Sequence, residues 1–240
     1  PGSYELIRLV DPIAGPLRVV VEPQPALFYG TYAANPAPTR ELAVEAPHPL
    51  FDTDTELQAT AVFVQTGARY LLVAGSHRCA DPAASPCSGT TTACGASAPY
   101  RISDAAHADA LPFYAIHAVL SARDASLSFL QLHGNSQPGC PGALVSDCSG
   151  AWSDTGLAAT LAAALTSQGV AIGECGSGYP TSACDLCGTD NVEARDTAGA
   201  TTACTQDGAS YGRFVHVEQQ RSLRTAPYQA MIDAVEVAFP

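Results

Sequence analysis

The chain has 240 residues, 47% hydrophobic and 14% charged, a balance that fits one ordinary globular domain with a large core and excludes wholesale disorder. Its 11 basic residues, all arginine, stand against 23 acidic ones for a net charge of −12, too few cations for a patch that grips a phosphate backbone. No window approaches about eighteen unbroken apolar residues, so neither a bilayer span nor a nucleic-acid partner is expected, and the start at Pro1 without a charged-then-apolar stretch implies that any leader has been removed.

Residues 1–40 are Pro-rich and read as an irregular lead-in with one strand at Leu17–Val21 and an aromatic segment around Phe28, Tyr29 and Tyr32. From Glu41 the pattern turns regular: an apolar run to Ala46, a helical stretch over 53–66, then the buried-looking strand Tyr70-Leu71-Leu72-Val73-Ala74. A three-cysteine loop leads to a helical region over 104–122, broken near Pro112, and to a strand from Leu127 to Leu132. Leu157, Leu161 and Leu165 recur at a spacing of four and predict an amphipathic helix over 154–168, followed by the apolar run Val170-Ala171-Ile172. A last strand over 213–218 and a closing helix over 225–238 complete the chain. Alternating strands and helices predict an α/β three-layer sandwich: a mostly parallel central sheet, helices on both faces, and ligand chemistry beyond the carboxyl ends of the strands. Within this single 240-residue domain, 134–152 and 173–212 read as Cys/Gly-rich loop insertions.

The nine cysteines fall in Gly-, Ser-, Thr- and Pro-rich stretches, which predicts up to four disulfides, one cysteine left over, and an oxidising location, secreted or periplasmic. Their connectivity is not readable. The competing reading is a structural zinc site on Cys175, Cys184, Cys187 and Cys204, although a zinc ribbon would show two close CxxC pairs where this chain has one.

Polar clusters end successive strands: Pro47-His48-Pro49, Ser76-His77-Arg78, His133-Gly134-Asn135 and His216-Val217-Glu218. Together they offer the ligands of one catalytic zinc ion. His48 and His133 supply imidazoles, and either Asp52 or Glu56 the carboxylate; Thr53-x-x-Glu56 also reads as a capping box, which leaves the choice open. Period-2 alternation puts Phe214, His216 and Glu218 on one face of the last strand, with Glu218 placed to carry a proton between water and a leaving nitrogen. Arg78 is a fork for a substrate carboxylate or an oxyanion, with His77 beside it and Arg101 and Arg221 as further substrate contacts.

Other polar clusters carry weaker signals. Asp104-x2-His107, with Arg101 just before it, offers polar groups for the mouth of the site but also reads as an ordinary helix start capped by Ser103, and His117 reads as a packed core residue. Gly208-Ala209-Ser210-Tyr211-Gly212 matches a nucleophile elbow in letters but enters a strand where the elbow needs a helix. Cys79 beside His77 reads as a disulfide partner before a nucleophile, and a phosphate loop of the Walker type is impossible without lysine.

The order of these stretches, His48-Pro49-Leu50-Phe51-Asp52-Thr53-Asp54-Thr55-Glu56, Ser76-His77-Arg78, Leu130-Gln131-Leu132-His133-Gly134 and His216-Val217-Glu218-Gln219-Gln220-Arg221, resembles the zinc metallocarboxypeptidase superfamily, in particular its N-formylglutamate amidohydrolase and deacylase branch. The resemblance runs from about residue 41 to the C-terminus. It implies a zinc-dependent hydrolase that cleaves an amide in a small molecule or peptide end, with Glu218 as proton shuttle and Arg78 on the substrate. Carboxypeptidase members carry His-x2-Glu where this chain has His48-x3-Asp52 or His48-x7-Glu56, and Asn where it has His77. The reading of a different class is a secreted, disulfide-rich binding or structural module with a degenerate or absent metal site.

Overall fold

The computed structural model describes residues 4–24 and 27–240. Along them run β1 (Glu5–Asp11), β2 (Gly15–Val21), β3 (Thr31–Ala34), β4 (Arg40–Ala46), α1 (Thr55–Thr66), β5 (Ala68–Val73), β6 (Thr90–Thr91), β7 (Ala98–Pro99), α2 (Pro112–Arg123), β8 (Ser128–Gly134), β9 (Ala143–Ser146), α3 (Leu157–Ser167), β10 (Ile172–Cys175), β11 (Gly178–Tyr179), α4 (Val192–Thr197), β12 (Phe214–Gln219) and α5 (Gln229–Ala238). Ten strands form one sheet in the order β1-β2-β3-β5-β4-β8-β12-β9-β10-β11, and β6 pairs with β7 in a separate small hairpin. The centre of the sheet is parallel, β5-β4-β8-β12, while β1, β2 and β3 join antiparallel at one side and β9 runs antiparallel to β12.

Alternation along the central strands sorts side chains into two cores. Leu42, Val44, Leu130, Leu132, Val215 and Val217 face α1, α3 and α5, where Phe63, Leu161, Leu165, Met231 and Val235 cover them. Ala43, Phe129 and Phe214 face the other way, against Phe113 of α2 and Ala194 of α4. Each fully buried Leu, Val or Phe contributes about 1.5–3 kcal/mol relative to exposure, so these runs fix which face of each strand points where. The expected α/β sandwich with helices on both faces is borne out, and no helix among the described residues is long and apolar enough to cross a membrane.

The lead-in is more regular than its composition suggests. β1 and β3 both lie in it, and β1 was hidden because nearly all its residues are exposed, so no buried face leaves a pattern. Inside the two Cys/Gly-rich stretches the chain places β9, β10, β11 and α4, elements too short to register as periodicity.

Eight cysteines pair as Cys79–Cys94, Cys87–Cys204, Cys140–Cys184 and Cys175–Cys187, with Cys148 free and buried. The four-thiolate zinc reading is thereby overturned: Cys184 and Cys204 bond outside the proposed set, and Cys175 bonds Cys187 directly. Cys79, as a half-cystine, is no nucleophile. Gly208–Gly212 lies in the loop before β12, with the Gly208 N–H donating to Tyr211 Oη at 3.1 Å, and forms no elbow.

Candidate metal centre

Three neighbouring parallel strands deliver the polar residues to one edge. β8 and β12 run in register so that Gln131 lies beside His216 and His133 beside Glu218, all on the α2/α4 side of the sheet. β4 ends at Ala46, and the chain then turns: the Asp52 N–H donates to the His48 carbonyl at 2.7 Å and the Phe51 N–H to the same oxygen at 3.0 Å. That turn sets His48 and Asp52 side by side four residues apart.

Asp52 Oδ2 lies 3.4 Å from His48 Nδ1 and 3.6 Å from His133 Nδ1, and all three residues are at most 3% exposed. The far nitrogens are engaged elsewhere. His48 Nε2 donates to Asp104 Oδ1 at 2.7 Å, and His133 Nε2 donates to Gln131 Oε1 at 2.7 Å. Arg78 Nη1, which can only donate, faces His48 Nδ1 at 3.5 Å. Both rings therefore carry their proton on Nε2 and turn the Nδ1 lone pair toward Asp52. His133 is pushed down to about 4, first by burial and further by the nearby His48.

Glu218 Oε1 approaches the same cluster, 3.9 Å from His133 Nδ1 and 3.8 Å from His216 Nε2. Burial, then the Asp52 charge, pushes its carboxyl up to about 8. Burial likewise lowers His216, whose Nδ1 has no hydrogen-bond partner, nor has Glu218 Oε2. Ligand atoms of His48, Asp52 and His133 lie within 4.8 Å of one another, and so do those of His133, His216 and Glu218. Two neutral imidazoles and a carboxylate are the donor chemistry of a catalytic zinc ion, so the residues fit that metal.

Behind His48 stands a second row. Asp104 Oδ1 also accepts from His107 Nδ1 at 3.0 Å, and Asp104 Oδ2 accepts from Arg78 Nε at 3.0 Å and Nη2 at 2.5 Å. His107 Nε2 lies 3.4 Å from Asp190 Oδ1, its ring stacks on Tyr100 at 3.7 Å, and Tyr100 donates to Asp190. Burial opposes the charged imidazole, yet Asp104 and Asp190 raise His107 to about 9. Asp104 and His107 thus form no ordinary helix start: the 3-10 turn Ala105–His107 lacks a side-chain cap, and Ser103 Oγ instead donates to the Arg78 carbonyl.

The remaining expected residues are distributed unevenly. Glu56 sits on α1, outside every ligand-distance group among the described residues, so the cluster takes Asp52. Its capping box does not form either, because the N-cap is Asp54 without a side-chain bond and Thr53 Oγ1 accepts from Arg221. His77 accepts the Cys79 N–H and packs edge-on to Phe51, while Arg101 donates to the Cys79 carbonyl at 2.6 Å; both shape the Arg78 loop, and neither lines the cavity. Arg78 and Arg221 do line it, Arg221 tied to Thr53 and Asp54. Sequence reasoning passed over three participants: Asp104 as a support for His48, Gln131 in mid-strand, and Arg224. Arg224 is 5% exposed, donates to the Thr53 carbonyl, lines the cavity and has no carboxylate within ion-pair distance among the described residues. The cavity holds about 1170 Å³, with Thr90, Thr91, Thr92, Ser97, Asn135 and Gln137 adding uncharged polar groups to its walls.

No protein-family model and no curated protein sequence matches the chain. Solved structures do. The N-formylglutamate amidohydrolase of Ralstonia eutropha JMP134 is similar at 15% identity and a TM-score of 0.51, over 86% of this chain and 94% of that one. A bacteriophage poly-gamma-glutamate hydrolase matches at 13% identity and a TM-score of 0.47, over 85% and 84%. Succinylglutamate desuccinylase of Vibrio parahaemolyticus matches at 9% and 0.44, over 98% and 76%. At the amidohydrolase's TM-score the likeness is one of fold, the fold that the strand-end motifs led us to expect.

Proposed function

We propose that this chain is a zinc-dependent hydrolase of amide bonds, acting on peptide ends or N-acyl amino acids in an oxidising compartment outside the cytosol. The observation that carries the reading is the convergence of His48 Nδ1, Asp52 Oδ2 and His133 Nδ1, with Glu218 Oε1 beside them, at the carboxyl edge of the parallel strands. The amidohydrolase of like fold and the four disulfides support it.

His48, Asp52 and His133 would hold the ion. Zinc in such a set supplies a Lewis acid and lowers the pKa of water to about 7. The chain's own groups do the rest. Glu218, shifted toward neutrality, takes a proton at its carboxylate and returns it to the leaving nitrogen. Arg78 stays charged against Asp104 and stands beside His48, positioned to stabilise negative charge developing on the carbonyl oxygen. Arg224, lacking a carboxylate partner, is placed to receive a substrate carboxylate.

Elemental analysis of protein purified without chelators is the first test. One zinc per chain that is lost in a His48→Ala/His133→Ala double variant, followed by turnover of N-acyl amino acids or short peptides, is the expected result. Protein without zinc, or zinc retained by the double variant, overturns the reading.

A further inference from the structure

Beneath the metal centre, five polar side chains are sunk into the α2/α4 core: Glu45, His117, Gln131 and Glu193 at 0% exposure and Asn191 at 1%. Around them lie Phe113, Phe129 and Phe214. Burying such groups is costly unless every one is bonded, and even then an apolar core of the same shape is as stable or more so. The arrangement therefore calls for a reason beyond stability, and it meets the centre at His133 Nε2.

The direction of each hydrogen bond follows from its neighbours. Asn191 is the N-cap of α4: its Oδ1 accepts the Ala194 N–H at 2.9 Å, which leaves Nδ2 to donate to Gln131 Oε1 at 2.6 Å. At the other end of the same carboxamide, Gln131 Nε2 lies 3.0 Å from Glu45 Oε2 and 3.4 Å from Glu193 Oε2. Glu45 is anchored in turn, with Oε1 2.7 Å from His117 Nδ1, and His117 Nε2 lies 2.9 Å from Thr197 Oγ1. A flipped Gln131 amide would set its nitrogen against the Asn191 NH2, whose direction the Ala194 N–H fixes, so the oxygen must face Asn191 and His133. An amide oxygen only accepts. His133 Nε2 must then carry the proton, and Nδ1 keeps the lone pair.

We infer that Gln131 is a positioning residue that sets the tautomer of His133, and that the Asn191 cap of α4 is tied through it to the affinity of the centre for zinc. The inference rests on the proposed metal site only for its affinity arm. His48 gets its orientation from a carboxylate, Asp104, whereas His133 gets it from a neutral amide whose own orientation is borrowed from α4 and β4. Metal-bound histidines commonly depend on such partners, whose loss weakens metal binding about 10–100-fold.

The test uses the full chain in two states. On metal-free protein, the ring 15N shifts of His133 should report a single tautomer protonated at Nε2; Gln131→Met, equal in length but without an acceptor, should give a mixture. On zinc-titrated protein, competition with a chromophoric chelator should show the Kd of Gln131→Met weakened about 10–100-fold. Asn191→Ser keeps an oxygen for the cap but loses the donor to Gln131, and should show both effects at smaller size with unchanged helix content. It carries the test if Gln131→Met does not fold. A variant that melts earlier yet keeps the wild-type tautomer and zinc Kd overturns the inference and leaves the network a merely structural one. Should the wild type bind no zinc, the proposed function fails, and the tautomer measurement on the metal-free chain still decides the positioning role.

Discussion

His48 and Asp104 meet across 2.7 Å, ring Nε2 to carboxylate Oδ1, and each is 1% exposed. The same carboxylate compensates Arg78 and His107, so one buried anion orients a prospective metal ligand and neutralises the groups behind it. Asp104→Asn keeps the shape and one acceptor but removes the charge. We expect its zinc Kd to weaken about 10–100-fold in chelator competition, and the metal-free protein to lose about 3–5 kcal/mol in urea unfolding because buried cations lose their partner. An unchanged Kd would mean that His48 does not depend on Asp104.

His107 and Asp190 predict a stability profile with two opposite slopes. The folded pKa of His107, about 9, lies above the ordinary 6.5, so its contribution is complete below about pH 6.5 and is lost as the pH rises through 9. Asp190 is held down to about 2, chiefly by His107 and Tyr100 against burial, so its share is complete above about pH 4 and is lost as the pH falls toward 2. Melting of the metal-free protein between pH 6 and 10 should show the alkaline loss, on the order of 3 kcal/mol. His107→Phe, which retains a ring to stack on Tyr100, should remove the loss above about pH 8 and leave the fall below it that the raised Glu218 carboxyl contributes. A wild-type Tm independent of pH over that interval would refute the assignment.

What the sequence disclosed, and what it hid, follows from the range of the interactions. The runs in β4, β5, β8 and β12 were visible because both faces of a central strand are covered, and the histidines and Glu218 because they end those runs. Asp52 could not be preferred to Glu56 until the turn Phe51–Asp52 bonded back to the His48 carbonyl. Gln131 was invisible for a different reason: it sits between Leu130 and Leu132 in an ordinary-looking strand, and its partners come from β4 and α4, 86 and 60 residues away in sequence. The pairing of Asp104 with His48, 56 residues away, was hidden in the same way. The cysteine count implied disulfides, but pairing across 117 residues, as in Cys87–Cys204, is set only by tertiary contact.

That long bridge should matter most for stability. Chain-entropy reasoning assigns about 4.7 kcal/mol to a loop near 100 residues and about 3 to one near 15. Cys87→Ala/Cys204→Ala should therefore destabilise more than Cys175→Ala/Cys187→Ala, which opens a loop of 12. Thiol titration provides an independent check: Cys148 is buried and its thiol pushed up by burial, so native protein should not react and unfolded, unreduced protein should show one thiol. Two or more would contradict the pairing.

Gly134 and Arg224 offer a test of substrate anchoring. A Cβ at Gly134 would collide with the Arg224 guanidinium, so Gly134→Ala must displace that group from the cavity wall. With an amide substrate in hand, KM should rise while zinc content and kcat change little. A fall in kcat alone would place Arg224 in the chemical step instead.

Glu218→Gln separates binding from chemistry. The Glu218 carboxylate is 3.9 Å from His133 Nδ1 and takes no part in the His48, Asp52 and His133 set, so a carboxamide of equal size should leave zinc stoichiometry at the wild-type value. It cannot accept and return a proton, and general acid–base groups contribute about 10²–10⁴-fold to turnover, so kcat should fall by that factor. Glu218→Asp retains the carboxyl group but withdraws it from the cluster, and should recover part of the loss. If Glu218→Gln keeps zinc and also keeps activity within about tenfold, proton transfer belongs to another residue, and His216, whose Nδ1 is buried without a partner, is the next to substitute.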